Sequence, residues 1–96
     1  MMIVTYLPEV QCEIDGPGIR DDEENVSVMD ITGNRHFLRV SNGFVNSTEK
    51  GDFLPIGVVE VDRMNAKVLI ELPHEADSGA NRLWIPFQRV RQEEPS

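Results

Sequence analysis

By type and spacing, the residues best suited to chemistry are Glu71, His74, Glu75 and Asp77: three carboxylates and an imidazole within seven positions. Oxygen ligands with one histidine suit Mn²⁺, Zn²⁺ or Mg²⁺, and a metal held there would support hydrolysis. The spacing is not that of a helical HExxH frame, and the same residues fit a solvated loop with a surface histidine. His74, Asp77 and Ser78 also supply the side chains of a Ser-His-Asp triad. Triads, however, draw their members from separate elements, and no GxSxG elbow is present. The sequence therefore assigns no catalytic residue, no metal-ligand set and no cofactor, and leaves metal binding by Glu71, His74, Glu75 and Asp77 open.

The other reactive side chains have simpler readings. Cys12 shares an apolar face with Val10 and Ile14, where a thiol behaves as a small hydrophobe, and the neighbouring Glu13 has the wrong sign to activate it. As the single cysteine, it excludes an internal disulfide and a multi-cysteine zinc site. His36 lies on one face with Leu38 and Val40 and is expected to be buried or half-buried. Asp21, Asp22, Glu23 and Glu24 lack the alternating ligands and central glycine of a calcium loop and read as a solvated acidic loop. Gly16-Pro17-Gly18 reads as a turn and not as a phosphate cradle. Asn25-Val26-Ser27 and Asn46-Ser47-Thr48 match the glycosylation tripeptide, but no secretory signal accompanies them.

The charge is uneven. Seventeen acidic residues outweigh nine basic ones for a net charge of −8, with −7 in residues 1–31 and only −1 in the remainder. Such a balance disfavours indiscriminate binding to nucleic-acid phosphates. The basic residues after position 31 are six arginines and two lysines, and arginine is the more common choice for paired recognition of carboxylates or phosphates. Trp84 and Phe87 sit beside Arg82 and Arg89, and tryptophan and arginine are frequent interface anchors. These four residues, with the acidic Asp21, Asp22, Glu23 and Glu24, are the candidate interaction residues. The first reading of function is a protein interaction module or regulatory subunit with a protein partner. The second is nucleic-acid binding through an arginine-bearing β face, with the acidic loop competing for that face; the third is metal-dependent hydrolysis.

Positioning these residues falls to strands. Valine and isoleucine number 18 against 3 alanines and 6 leucines, and branching at Cβ suits a pleated surface better than a helix. Val10-Gln11-Cys12-Glu13-Ile14 alternates with period two. Arg35 to Val40 puts Phe37 between two arginines on the face opposite His36, Leu38 and Val40. Lys67 to Leu72 aligns Val68, Ile70 and Leu72, and Leu83 to Phe87 aligns Leu83, Ile85 and Phe87 with Trp84 on the other side. Val26 to Ile31 and Ile56 to Val61 are further apolar runs. Thr32-Gly33-Asn34, Asn42-Gly43 and Arg63 to Ala66 predict hairpin turns, with Phe44 and Val45 opening a returning strand after the second. Pro73 to Asn81 reads as a longer loop.

With 96 residues, the chain predicts a single all-β domain over residues 1–91, carrying an acidic loop at 15–25 and a mobile tail at 92–96. Six or seven short, mostly antiparallel strands close most economically into a small barrel, SH3-like or OB-like. Ile85-Pro86-Phe87-Gln88-Arg89-Val90 is similar in spacing to the strand-to-short-helix step near the end of SH3 domains. The resemblance covers six residues and implies an SH3-like step there. Arg89 stands where that pattern has a ligand-contacting tyrosine, and neither an ALYDY-like segment nor a double tryptophan occurs, so proline-rich peptide binding is not implied. No apolar run is long enough to span a bilayer as a helix and Met1 to Leu7 lacks a signal-peptide pattern, so the expected address is the cytoplasm, with no membrane partner. Pairing with another copy through an edge near Pro86 is compatible with each reading.

Overall fold

The computed structural model describes residues 7–93, without the side chains of 7, 92 and 93. The described chain is all-β. Its strands are β1 (Leu7–Pro17), β2 (Glu23–Met29), β3 (Arg35–Ser41), β4 (Asn46–Thr48), β5 (Gly51–Pro55), β6 (Gly57–Asp62), β7 (Lys67–Glu71), β8 (Arg82–Pro86) and β9 (Val90–Glu93). A 3-10 turn, Phe87–Arg89, joins the last two. All pairings are antiparallel. Six strands form one sheet in the order β3-β2-β1-β5-β4, with β9 also on β1, and β6-β7-β8 form a second. The ladders of the described residues make two sheets and not a closed ring.

Strand alternation sets the core. Val10, Val26, Val28, Leu38, Leu54, Ile70 and Ile85 are almost fully buried, and residues of both sheets share one apolar cluster. Burying each such side chain stabilises the fold by roughly 1.5 to 3 kcal/mol before conformational entropy is subtracted. Val68, Ile70 and Leu72 face inward together, as do Leu83 and Ile85, while Phe87 packs half-buried against the cluster. Trp84 faces outward, opposite Leu69, with the Lys67 ammonium 4.5 Å from its ring centroid. Ile14 departs from the inward row of Val10 and Cys12 and is 39% exposed. The register between β1 and β2 shifts between Ile14 and Gly16, and this bulge turns the strand end away from the core.

Three expected features take different forms. The acidic loop shrinks to residues 18–22, because 15–17 belong to β1 and 23–25 to β2. Gly18 N–H donates to Glu23 carbonyl at 2.9 Å, and a Cβ on Gly18 would lie 2.8 Å from Glu23 Cβ, so only glycine fits this closure. The Asn42-Gly43 turn forms, but the chain beyond it does not return along β3. Instead β4 pairs with β5, while Asn42 donates from its backbone N–H to Asp22 carbonyl and from its side chain to Asp21 carbonyl. The apolar run from Ile56 divides: Ile56 is buried, whereas Val58, Val59 and Val61 are exposed on β6, which among the described residues has a strand neighbour on one side only.

Gln92 and Glu93 belong to β9, and the rest of the expected mobile tail, 94–96, lies outside the described residues. No helix among the described residues is long and apolar enough to cross a membrane.

Candidate functional site

A notch in the larger sheet brings two arginines together. On the edge of β1 facing β2, β9 covers residues 7–10, ending at the Val10–Val90 pair, and β2 takes over at the Glu13–Ser27 pair. Gln11 and Cys12 lie between these two pairings, without a strand on that edge among the described residues. A cavity of about 210 Å³ opens there, with Arg89 at one wall and Ser27, Met29 and Arg35 at the other.

The two cations are held differently. Arg35 Nη1 donates to Glu13 Oε2 at 2.6 Å and to Ser27 Oγ at 3.1 Å. The hydrogen bond and charge of this pair lower the Glu13 pKa and raise that of Arg35. Arg89, fixed by the 3-10 turn, donates to Met29 carbonyl at 3.3 Å and has no carboxylate partner among the described residues. It is half-buried, and a partly desolvated cation without a counter-ion is costly. Ser27 is 2% exposed. Because its oxygen accepts from Arg35, its O–H is left to donate. The notch thus carries one net positive charge and hydrogen-bond donors from Arg35, Arg89 and Ser27, a set suited to one carboxylate or phosphate group.

Cys12 borders the same cavity, but its thiol is pushed up to about 12 by burial first and then by Asp52, Glu24, Asp15 and Glu9. It is neutral at ordinary pH and cannot act as a thiolate nucleophile.

A second arrangement lies on the outer edge of β3. Its carbonyls at Phe37 and Arg39 accept from Asp77 N–H at 2.7 Å and from His74 Nε2 at 2.5 Å. The loop 73–81 is thereby laid along a strand edge that is otherwise open among the described residues. In the same region His36 Nε2 is 2.8 Å from Asp30 Oδ2 and His36 Nδ1 is 2.7 Å from Ser78 Oγ. Asp30, His36 and Ser78 come from the end of β2, from β3 and from the loop. Spacing along the chain pointed to His74 as the partner of Asp77 and Ser78; strand register selects His36.

The candidate interaction residues divide among several surfaces. Arg82 and Trp84 share the outer face of β8, with Arg82 3.4 Å from Glu71. Phe87 turns toward the core and Arg89 into the notch. Asp21 and Asp22 are exposed, with Asp22 3.6 Å from Arg20, while Glu23 and Glu24 are half-buried on β2. Glu71, His74, Glu75 and Asp77 do not converge: Glu71 faces Arg82, and His74 and Asp77 are tied to β3. Among the described residues no group of three His, Cys, Asp or Glu side chains could hold a metal ion. His74, Glu23, Arg39 and Phe44 line a second hollow of about 340 Å³ beside Pro73.

Comparison with known proteins leaves the site to be read from its geometry, since no family model, curated protein or solved structure matches this chain.

Proposed function

We propose that the chain is a protein interaction module or regulatory subunit whose arginine notch admits a carboxylate of its protein partner. The observation that carries this reading is Arg89, a half-buried guanidinium without a carboxylate partner among the described residues, in a chain of net charge −8. A partner carboxylate would supply that counter-ion, accept from Arg89 and Arg35 together, and accept a hydrogen bond from the Ser27 hydroxyl. The surrounding negative charge favours a partner that is otherwise basic. Trp84 and Arg82 offer a second outward patch beside Lys67.

For the architecture, we read the two sheets as halves of a small SH3-like or OB-like barrel. Support comes from the passage of β5 into β6 through buried Ile56, from the shared core, and from the 3-10 turn that leads β8 into β9 on β1. The cytoplasm is the compartment proposed for it.

The test is an NMR titration with a basic peptide carrying one central glutamate, and with its glutamine analogue as control. Shifts at Gln11, Ser27, Arg35 and Arg89 are expected with the glutamate peptide alone. Arg89→Ala should weaken binding by about tenfold or more, corresponding to roughly 1.4 kcal/mol. Equal shifts from both peptides, or binding indifferent to Arg89→Ala, would remove the reading.

A nucleic-acid reading is favoured by one feature: Phe37 is 44% exposed between Arg35 and Arg39, as a base-stacking platform would be. Its sign would be oligonucleotide binding that weakens steeply with salt and strengthens when Asp21, Asp22, Glu23 and Glu24 are neutralised.

A further inference from the structure

We propose that Ser78 is a nucleophile for acyl transfer from small activated esters, with His36 as its general base and Asp30 as the residue that positions His36. Two segments distant in sequence, the β2–β3 hairpin that carries Asp30 and His36 and the loop that carries Ser78, converge to build this chain of hydrogen bonds, at 2.7 Å from Ser78 Oγ to His36 Nδ1 and 2.8 Å from His36 Nε2 to Asp30 Oδ2.

The direction of each hydrogen bond follows from Asp30. Its Oδ1 accepts from Thr32 N–H at 2.9 Å, Thr32 Oγ1 at 2.6 Å and Asn34 N–H at 3.0 Å. A carboxylate so surrounded by donors is ionised and can only accept, so in neutral His36 the proton sits on Nε2. Nδ1 is then the bare nitrogen, and Ser78 must donate its O–H to it. This is the protonation pattern of a serine poised to lose its proton, with the two ring nitrogens exchanging the places they take in serine proteases.

Burial divides the three groups usefully. The side chains of His36 and Asp30 are 13% and 15% exposed, which limits competition from water for their hydrogen bond. Ser78 lies on the exposed loop, within reach of a substrate. The loop is held in place by Asp77 N–H on Phe37 carbonyl, one residue from the nucleophile. Ala80 N–H donates weakly to Ser78 Oγ at 3.4 Å, and Gly79 N–H is occupied by Ala76 carbonyl at 2.9 Å. Neither amide is aimed at a developing oxyanion. The chemistry accessible to this arrangement is therefore the acylation of serine by esters with a good leaving group, not amide hydrolysis.

The steps balance without a redox partner. Ser78 Oγ attacks the ester carbonyl carbon while its proton moves to His36 Nδ1. The carbon–oxygen bond to the leaving group breaks, and the imidazolium returns the proton to the departing alkoxide. Water then attacks the acyl-serine, giving its proton to His36 Nδ1. Ser78 leaves, regaining that proton, and the acid is released.

The experiment pairs p-nitrophenyl acetate turnover with fluorophosphonate labelling, located by mass spectrometry. Label is expected on Ser78, and Ser78→Ala should abolish both label and turnover above background; this variant removes only an exposed hydroxyl, so the fold is retained. His36→Ala should lower turnover about 100-fold, in line with general-base contributions, and added imidazole should restore part of it. Asp30→Asn should lower acylation, and Asp30→Glu should restore some of it. Absence of label at Ser78, turnover equal in the wild type and Ser78→Ala, or a His36→Ala variant that imidazole does not rescue would each overturn the proposal. Carboxylate binding at the notch is unaffected by Ser78→Ala, so this activity and the notch reading fail independently.

Discussion

Arg91 Nε lies 3.0 Å from Glu9 Oε1, and the same guanidinium rests 3.6 Å from the centroid of the Phe53 ring. Glu9 is 3% exposed and Asn46 approaches its other oxygen at 3.4 Å. The pair ties β9 to β1 and roofs the β1–β5 ladder, so Arg91 acts through packing as well as charge. Arg91→Ala would leave a buried carboxylate without its cation. Because Arg91 is itself 30% exposed, the expected loss is about 2 to 4 kcal/mol, at or below the usual range for a broken buried pair. Adding Glu9→Gln should recover much of it in a denaturant melt; a single variant as stable as the wild type would show that Glu9 needs no counter-ion.

Neighbours on β7 should respond in opposite ways to truncation. Ile70 is fully buried, whereas Glu71 meets Arg82 at 3.4 Å on the surface. Ile70→Ala is expected to cost about 2 to 5 kcal/mol, a large share of the roughly 5 to 15 kcal/mol available to a domain. Glu71→Ala should stay within about 1 kcal/mol of the wild type. Thermal melts of the two variants that coincide would break the assignment of inward and outward faces on this strand.

Alternation made those faces legible in the sequence, because a strand's side chains switch sides at every residue whatever its partners. The inward rows of β3, β7 and β8 and the outward position of Trp84 could be read this way. Pairing was less legible. Asn42-Gly43 predicts a turn correctly, yet nothing local says that the next strand joins β5, since that choice depends on contacts made across the sheet. The notch was hidden for the same reason: it exists because β9 and β2 meet β1 at adjacent registers and leave a gap. Arg89 could be picked out by type, but its partnership with Arg35 could not. His36 and Ser78, 42 positions apart, are brought together only by the loop lying along β3.

Cys12 should be silent in the folded protein. Its thiol is pushed up to about 12, chiefly by burial, from an ordinary value of 9.0. A disulfide reagent at pH 8 is expected to react at the rate of global or local opening, and at full rate in denaturant. The sign of the linkage is that of a raised acid. Stability from the buried thiol is complete below about pH 9 and is lost as pH rises toward 12, where the unfolded chain has released a proton the folded one retains. Immediate reaction of the native protein at pH 8 would contradict the burial.

Asp30 gives the opposite pH dependence. Burial alone would raise its pKa, but hydrogen bonds from Thr32, His36 and Asn34 together outweigh that effect and hold it at about 2, below the ordinary value of 3.8. A lowered carboxylate stabilises the fold above its unfolded pKa, and that contribution disappears as pH falls from about 4 through 2. Allowing for solvent screening, it is worth on the order of 1 to 2 kcal/mol. The loss should be local in origin, since Asp30 holds the Thr32-Gly33-Asn34 turn, where Gly33 takes a φ of 89°. In Asp30→Asn the acid-induced fall in melting temperature between pH 4 and 2 should be shallower than in the wild type. A wild-type slope left unchanged by that substitution would mean that other carboxylates govern the acid transition.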